Sequence, residues 1–379
     1  MTFTTTVKTF PDTSSLSSNR RTGMNNDYPI IQATAVMAEA VVLPPASGKT
    51  TAPRPGLKTN GRSSRVMLPK QRSYAIQNAE IERLQEQGFT KGLAETLTKN
   101  NAMFPLRIWV VDNSGSMNRQ DGHRIIETFR KDNVKLVDCT RWAEIQQTVE
   151  YHAQMSALVK APTVFRLLND PGRINGPQQF SIAEHHSNSI DHDLSVALQT
   201  MKNSSPGGAT PLTEHIQEIR ANLVEMEPTL RRDGSRVAII LATDGLPSSI
   251  YGVSDNMAKQ EFVRSLRSLE GLPVWVVVRL CTDDEEVVQF YNDLDSQLEL
   301  SLEVLDDFVG EAEEVYEHNK WLNYALPLHR LREMGYHNRL FDLLDERQLT
   351  PDELKEFMRI LFGKDAFDGV PDPQADWVS

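Results

Sequence analysis

The chain has 379 residues, 39% of them hydrophobic, two cysteines and a formal charge of −12. That length supports one or two globular domains. No apolar run is long enough to span a bilayer, and two cysteines argue against a disulfide framework and for a reducing compartment. The charge is uneven: residues 1–76 carry 10 Lys+Arg against 3 Asp+Glu, a balance of +7 that leaves −19 on the remainder. An acidic body argues against nucleic acid as its main partner.

Residues 1–76 are rich in Ser, Thr, Pro and basic residues without sustained periodicity, which predicts a disordered basic N-terminal region. The start, Met1 to Thr6, lacks the apolar segment of a signal peptide, although the scarcity of acids leaves organelle targeting open. Tyr28–Val42 is an apolar island, a candidate short strand or docking segment. Ser47-Gly48-Lys49-Thr50 imitates the end of a phosphate-binding loop. Position 43 is Leu where the pattern needs Gly, and Pro53 and Pro55 forbid the following helix, so that reading is rejected. The basic stretch 53–72 could touch an acidic partner or a membrane surface, and reads first as a solvated linker.

Residues 77–101 read as a helical hairpin, with Ile81, Leu84, Phe89, Leu93 and Leu97 at helical spacings and Gly88 at the break. Its expected place is beside the first strand, at the edge of the next domain. Leu106 to Val111 is an apolar run of strand length that ends in Asp112-Asn113-Ser114-Gly115-Ser116. Asp-x-Ser-x-Ser gathers one carboxylate and two hydroxyls where the chain turns. These are hard oxygen ligands, suited to Mg²⁺ rather than to a soft metal.

Residues 119–139 then hold two β-leaning pieces, His123–Ile126 and Val134–Val137, which predict a small hairpin inserted beside the metal loop. It leaves the chain directly after Ser116 and Met117, so it is expected either to set partner choice through Asp121, His123 and Arg124 or to cover an edge. A helix begins at Thr140 as N-cap, with Trp142, Ile145, Val149 and Met155 as its apolar stripe. Thr163–Leu168 is the second sheet strand. After the Gly172–Gly176 turn, Gln179–Ile182 returns as an antiparallel edge strand. A helix is expected over about 191–202.

Pro206-Gly207-Gly208-Ala209-Thr210-Pro211 is a glycine-rich loop that opens a helix from Leu212 to about Met226. Arg236 to Thr243 is another apolar strand, ending in Asp244-Gly245. Then follow a helix (255–269), a strand (274–278), a helix (284–297), a strand (302–305) and a helix (309–320). Residues 322–379 read as a helical appendage, with Thr350, Pro351 and Glu353 as a strong helix start.

Asp112-x-Ser114-x-Ser116, the Thr210 loop and Asp244-Gly245 occur in order, each at a strand end or helix start. Together they resemble the metal-ion-dependent adhesion site of the von Willebrand factor type A (vWA) domain. The resemblance covers about 103–321. It implies an α/β fold: a doubly wound, mostly parallel six-stranded sheet with one antiparallel edge strand, of Rossmann-like vWA type. This gives a division into the N-terminal region 1–76, the hairpin 77–101, the vWA domain 102–321 and the appendage 322–379. It also implies that Ser114, Ser116 and Thr210 coordinate Mg²⁺ or Mn²⁺ directly, while Asp112 and Asp244 hold charge and water. One coordination position stays open for an Asp or Glu of a protein partner.

The function expected is a metal-dependent protein–protein interaction module inside the cell, in the cytoplasm, and not an enzyme. A Mg²⁺-dependent hydrolase using the same ion and a scaffold that binds through its tails are the alternatives. Other constellations are weaker. His185, His186, Asp191, His192 and Asp193 read as polar residues before a helix rather than as a transition-metal site. Trp142 and Trp275 read as core, and Cys281 as a buried thiol with no base placed for it.

Overall fold

The apolar runs become strands because each can bury both of its faces. In β1 (Leu106–Val111), Leu106, Ile108 and Val110 point to one side of the sheet while Trp109 and Val111 point to the other. The same alternation divides β6 (Val237–Thr243) and β7 (Val274–Leu280). Strands buried on both faces need helices above and below, which is how parallel sheets are built.

The computed structural model describes residues 65–69, 76–127, 134–184, 189–367 and 369–370; these fall in one unit, Ala33–Ser379. The Tyr28–Val42 island, the Ser47–Thr50 segment, the pair His185 and His186 and most of the expected disordered region lie outside the described residues. The part of 1–76 that is described corrects the expectation. Val66 is buried in the core against the sheet with Leu68 beside it, and Arg65 pairs with Glu225, because apolar side chains in the Val66-Met67-Leu68 run gain by burial.

Two helices, α1 (Asn78–Glu86) and α2 (Lys91–Met103), precede β1. After it come the hairpin β2 (Gly122–Glu127) and β3 (Val134–Cys139), then α3 (Arg141–Leu158), β4 (Thr163–Leu167), β5 (Gln179–Ile182) and α4 (Ile190–Asn203). The helix α5 (Leu212–Asp233), β6, α6 (Asn256–Arg267), β7, α7 (Glu285–Gln297), β8 (Leu302–Leu305) and α8 (Phe308–His318) follow. The helices α9 (Leu326–Glu333), α10 (Arg339–Glu346) and α11 (Pro351–Phe362) complete the order.

The six sheet strands lie in the order β5-β4-β1-β6-β7-β8, all parallel except the β4–β5 pair. This is the mixed sheet with one antiparallel edge strand that the sequence predicts. The helices α5, α6 and α7 cover one face, and α3 and α4 the other. Leu212, Ile216, Ile219, Leu223, Met226 and Leu230 form a continuous helical stripe, all buried on α5. That helix runs past the expected end at Met226, through Pro228, and stops where Gly234 turns left-handed at φ 62°.

The first two helices reach the first strand, where Arg107 of β1 bonds Asn101 of α2, and their apolar faces join other helices. Leu84, Leu93 and Leu97 share a third cluster with Leu328 and Leu331 of α9, Phe341 of α10 and Phe357 of α11. Arg107, fully buried on β1, fastens this helical layer to the sheet by donating to the Met334 carbonyl (3.0 Å) and to Asn101 Oδ1 (2.8 Å). A buried charge cluster does the same further along. Glu333 accepts from Arg330 (2.7 Å) and pairs with Arg279 (3.4 Å) and His152 (2.8 Å), while Arg279 also pairs with Glu144 (2.5 Å).

Candidate metal centre

The chain leaves β1 for β4 on one side and later returns to β6 on the other, so the strand order reverses between β1 and β6. In such sheets the connections part at that point and leave a crevice outside the carboxyl ends of the strands. Asp112 follows β1 and Asp244 follows β6, and the two strands are in register with Val111 opposite Ala242. Both carboxylates are therefore delivered to one crevice by the sheet itself.

Around them the groups close into a short chain of bonds. Ser114 Oγ lies 3.0 Å from Ser116 Oγ, and Ser116 Oγ donates to Asp244 Oδ1 at 2.7 Å. Asp112 Oδ1 accepts from the Ser114 N–H (2.8 Å), and Asp112 Oδ2 accepts from the Thr243 hydroxyl (2.6 Å). Asp112 has no exposed surface. Burial, and then the neighbouring Asp244 charge, push its pKa up to about 6, against the pull of the Thr243 and Ser114 hydrogen bonds. Two carboxylates buried side by side raise each other's cost of ionisation, and a positive charge beside them would relieve it.

Thr210 is brought to the same face by backbone bonds. The Gly207 N–H donates to the Asn113 carbonyl (2.7 Å) and the Gly115 N–H to the Gly208 carbonyl (3.1 Å), stitching the glycine loop to the Asp-x-Ser-x-Ser loop. The Thr210 N–H donates to Ser248 Oγ (2.9 Å), and the Ser248 N–H returns a bond to the Thr210 carbonyl (3.0 Å). Gly208 is required here: its φ is +94°, and a Cβ would stand 2.5 Å from Asn169 Oδ1. Asn169 in turn donates to the Ala209 carbonyl (2.8 Å), and its N–H bonds Asn113 Oδ1 (2.8 Å).

The donor set suits a small hard dication. Metal–oxygen distances of about 2.0–2.1 Å in an octahedron put neighbouring ligand oxygens about 2.9 Å apart. The Ser114–Ser116 and Ser116–Asp244 separations of 3.0 and 2.7 Å are ordinary hydrogen-bond lengths and are compatible with that edge. Of the five residues singled out in the sequence, Asp112, Ser114, Ser116 and Asp244 are joined through this network, while Thr210 is held in the adjoining loop.

Sequence reasoning missed Arg141, Thr243, Asn169 and Ser248. The signal for Arg141 was its place at the first position of α3, where a cation opposes the helix dipole. The side chain, 3% exposed, donates to Asp244 Oδ2 (3.0 Å) and grips both oxygens of Asp121 at 2.6 Å. Burial weakens its charged state, but the hydrogen bonds to Asp121 and Asp244 outweigh that and raise its pKa further.

The inserted hairpin exists as expected, β2 pairing antiparallel with β3, and two of its three expected rim residues are tied to the body. Asp121, exposed, is held by Arg141, His123 is half-buried and faces Asp307 at 3.6 Å, and Arg124 is exposed. The Asp307 carboxylate lifts the His123 pKa to about 9.

Elsewhere, Asp191 and His192 sit exposed on the first turn of α4. Trp142 and Trp275 are core, and Cys281 is a buried thiol whose pKa burial raises. Glu311, Glu314 and Asp345 bring carboxylate oxygens within 4.8 Å of one another, but Arg332 already bonds Glu311 and compensates the set. Among the described residues no helix is long and apolar enough to cross a membrane.

No family model matches the chain, and no curated protein matches it. Among solved structures it is similar to the PilB minor pilin from Streptococcus sanguinis, with 12% identity and a TM-score of 0.36, over 70% of this chain and 63% of that one. A point mutant of the same pilin matches at 12% identity and TM-score 0.36, over 64% of this chain and 61% of that one. The chain thus spans less than two thirds of the length of either, and a likeness at that score carries no inference about family or function.

Proposed function

We propose that this chain is a divalent-metal-dependent protein-interaction module of the vWA type, and not an enzyme. Ser114, Ser116 and Thr210 would hold Mg²⁺ or Mn²⁺ directly, with Asp112 and Asp244 supplying charge. The ion's remaining position takes the carboxylate of an Asp or Glu on a partner protein. The observation that carries the reading is the Ser114–Ser116–Asp244 chain of oxygens, spaced at 3.0 and 2.7 Å beside the buried Asp112 at the sheet's switch point. Three neutral hydroxyls and two acids cannot overneutralise a dication, so the ion stays attractive to an outside carboxylate. Nucleic acid and membrane do not suit the acidic body. The free, buried Cys139 and Cys281 fit an intracellular, cytoplasmic setting.

Calorimetric titration with Mn²⁺ tests the reading on wild type and on Ser116→Ala. Wild type should bind one ion and Ser116→Ala at least tenfold more weakly, both retaining the same circular dichroism. An array of immobilised Asp- and Glu-containing peptides should then retain the wild-type chain in Mn²⁺ and release it in chelator. Equal Mn²⁺ binding by the two proteins, or retention that chelator does not reverse, sinks the proposal.

A further inference from the structure

The geometry points to Arg141 as a built-in counter-ion of the metal site, a positioning residue that lowers the site's affinity for the dication and leaves the bound ion with surplus positive charge. This rests on the metal-binding reading above.

The guanidinium stands where it does because of the hairpin. β2 and β3 leave the metal loop and bring the chain back to it, and the Arg141 N–H closes the excursion on the Arg119 carbonyl (3.1 Å). Gly122 makes the return possible: a Cβ there would lie 2.9 Å from the Arg141 backbone. The first turn of α3 is thereby pinned against the metal loop with its side chain aimed at Asp244. A buried cation at a helix N-terminus is disfavoured by desolvation and by the helix dipole. Its retention needs compensation, and Asp244 and Asp121 supply it.

Two consequences follow for Asp244. Its Oδ2 is occupied by Arg141 (3.0 Å) and its Oδ1 by Ser116 (2.7 Å), so only Oδ1 faces the hydroxyl ligands. The carboxylate would offer an ion one oxygen, Oδ1, while Arg141 keeps Oδ2. The charge count changes as well. Asp112 and Asp244 alone would neutralise a dication. With Arg141 in the same buried set the assembly is left at +1, and that surplus acts on whatever occupies the open coordination position, favouring an anionic group. Asp121, more than half exposed, trims the surplus from outside.

Arg141→Gln, Arg141→Lys and Asp121→Asn are compared with wild type by calorimetric Mn²⁺ titration at low ionic strength, with folding followed by circular dichroism. Arg141→Gln should bind Mn²⁺ on the order of tenfold more tightly, and Arg141→Lys should return to near the wild-type value. Asp121→Asn should bind a few-fold more weakly, the opposite direction. Ordinary structural damage weakens metal binding, so tighter binding by Arg141→Gln is not produced by it. A folded Arg141→Gln with unchanged or weaker Mn²⁺ binding overturns the inference. Should Arg141→Gln fail to fold, Asp121→Asn decides, and unchanged or tighter binding overturns it. If wild type binds no Mn²⁺ but Arg141→Gln does, the metal reading of the native chain falls and this inference, which rests on it, falls with it. If neither binds, both fall.

Discussion

Replacing Asp112 by Asn should make the metal-free protein more stable at pH 7.5, contrary to the usual effect of mutating a buried site residue. Asp112 is completely buried, and its pKa is raised from 3.8 to about 6 by burial and by Asp244. Because the folded-state value lies above the unfolded one, folding favours the protonated acid. The stability this contributes is fully present below about pH 3.8 and is lost as pH rises through about 6. Above that, the ionised Asp112 costs the fold ~3 kcal/mol, at 1.36 kcal/mol for each pH unit between the two values. Asn removes the charge and keeps the shape. Its oxygen still accepts from the Ser114 N–H, and its amide meets the Thr243 oxygen, whose proton turns toward the Gly245 carbonyl at 3.4 Å. That rearrangement costs about 1 kcal/mol, so the net gain is ~2 kcal/mol. Urea denaturation in chelator at pH 7.5 and at pH 4.5 measures it. Asp112→Asn should lead at pH 7.5, and most of the lead should vanish at pH 4.5. Adding Mg²⁺ should reverse the order at pH 7.5, since an ion at a hundred times its Kd stabilises wild type by about 2.7 kcal/mol. An Asp112→Asn that is less stable than wild type in chelator at pH 7.5 would refute the electrostatic account of the site.

Two further outcomes probe the support of the site and of the fold. Gly208→Ala should lower stability by roughly 1–3 kcal/mol. It should also weaken Mn²⁺ binding, because the methyl displaces Asn169 and with it the Thr210 loop; unchanged calorimetric affinity speaks against that coupling. Glu333→Gln should cost about 3–5 kcal/mol in chemical denaturation, because it leaves Arg330 and Arg279 short of a buried partner. A loss under 1 kcal/mol would mean the charge cluster contributes little to holding α9 against the sheet.

What could be read from the sequence was local. The strands announce themselves because a sheet covered on both faces makes every residue of Leu106–Val111 and Val237–Thr243 apolar or otherwise buried. The Asp-x-Ser-x-Ser, Gly-Gly-x-Thr-Pro and Asp-Gly pieces are visible because turn geometry restricts which residues fit there. The partners of the 77–101 helices were not visible. Leu84 and Leu97 meet Leu331 and Phe357, and an amphipathic stripe states that it must be buried without stating against what. The end of α5 was misplaced for a related reason. Met226 and Leu230 continue one stripe across Pro228, and tertiary burial of Leu230 overrides the local break.

The hairpin shows how an insertion is legible as an element and silent as a device. Its position after Ser116 suggested that Asp121, His123 and Arg124 rim the open coordination position. The sequence contains no sign that Gly122 lets the hairpin stem lie on the start of α3, and that close approach decides what the stem does. Once the stem lies there, Asp121 is within reach of Arg141, and Arg141 within reach of Asp244. On the proposed metal-binding reading, the insertion would act on the site from behind, through charge, rather than at its mouth through contact. On this view, shortening 119–139 to a Gly-Ser turn frees Arg141 from Asp121 and from the Arg119 carbonyl together. Metal affinity would change along with partner binding, whereas a hairpin that only met partners would leave the affinity where it was.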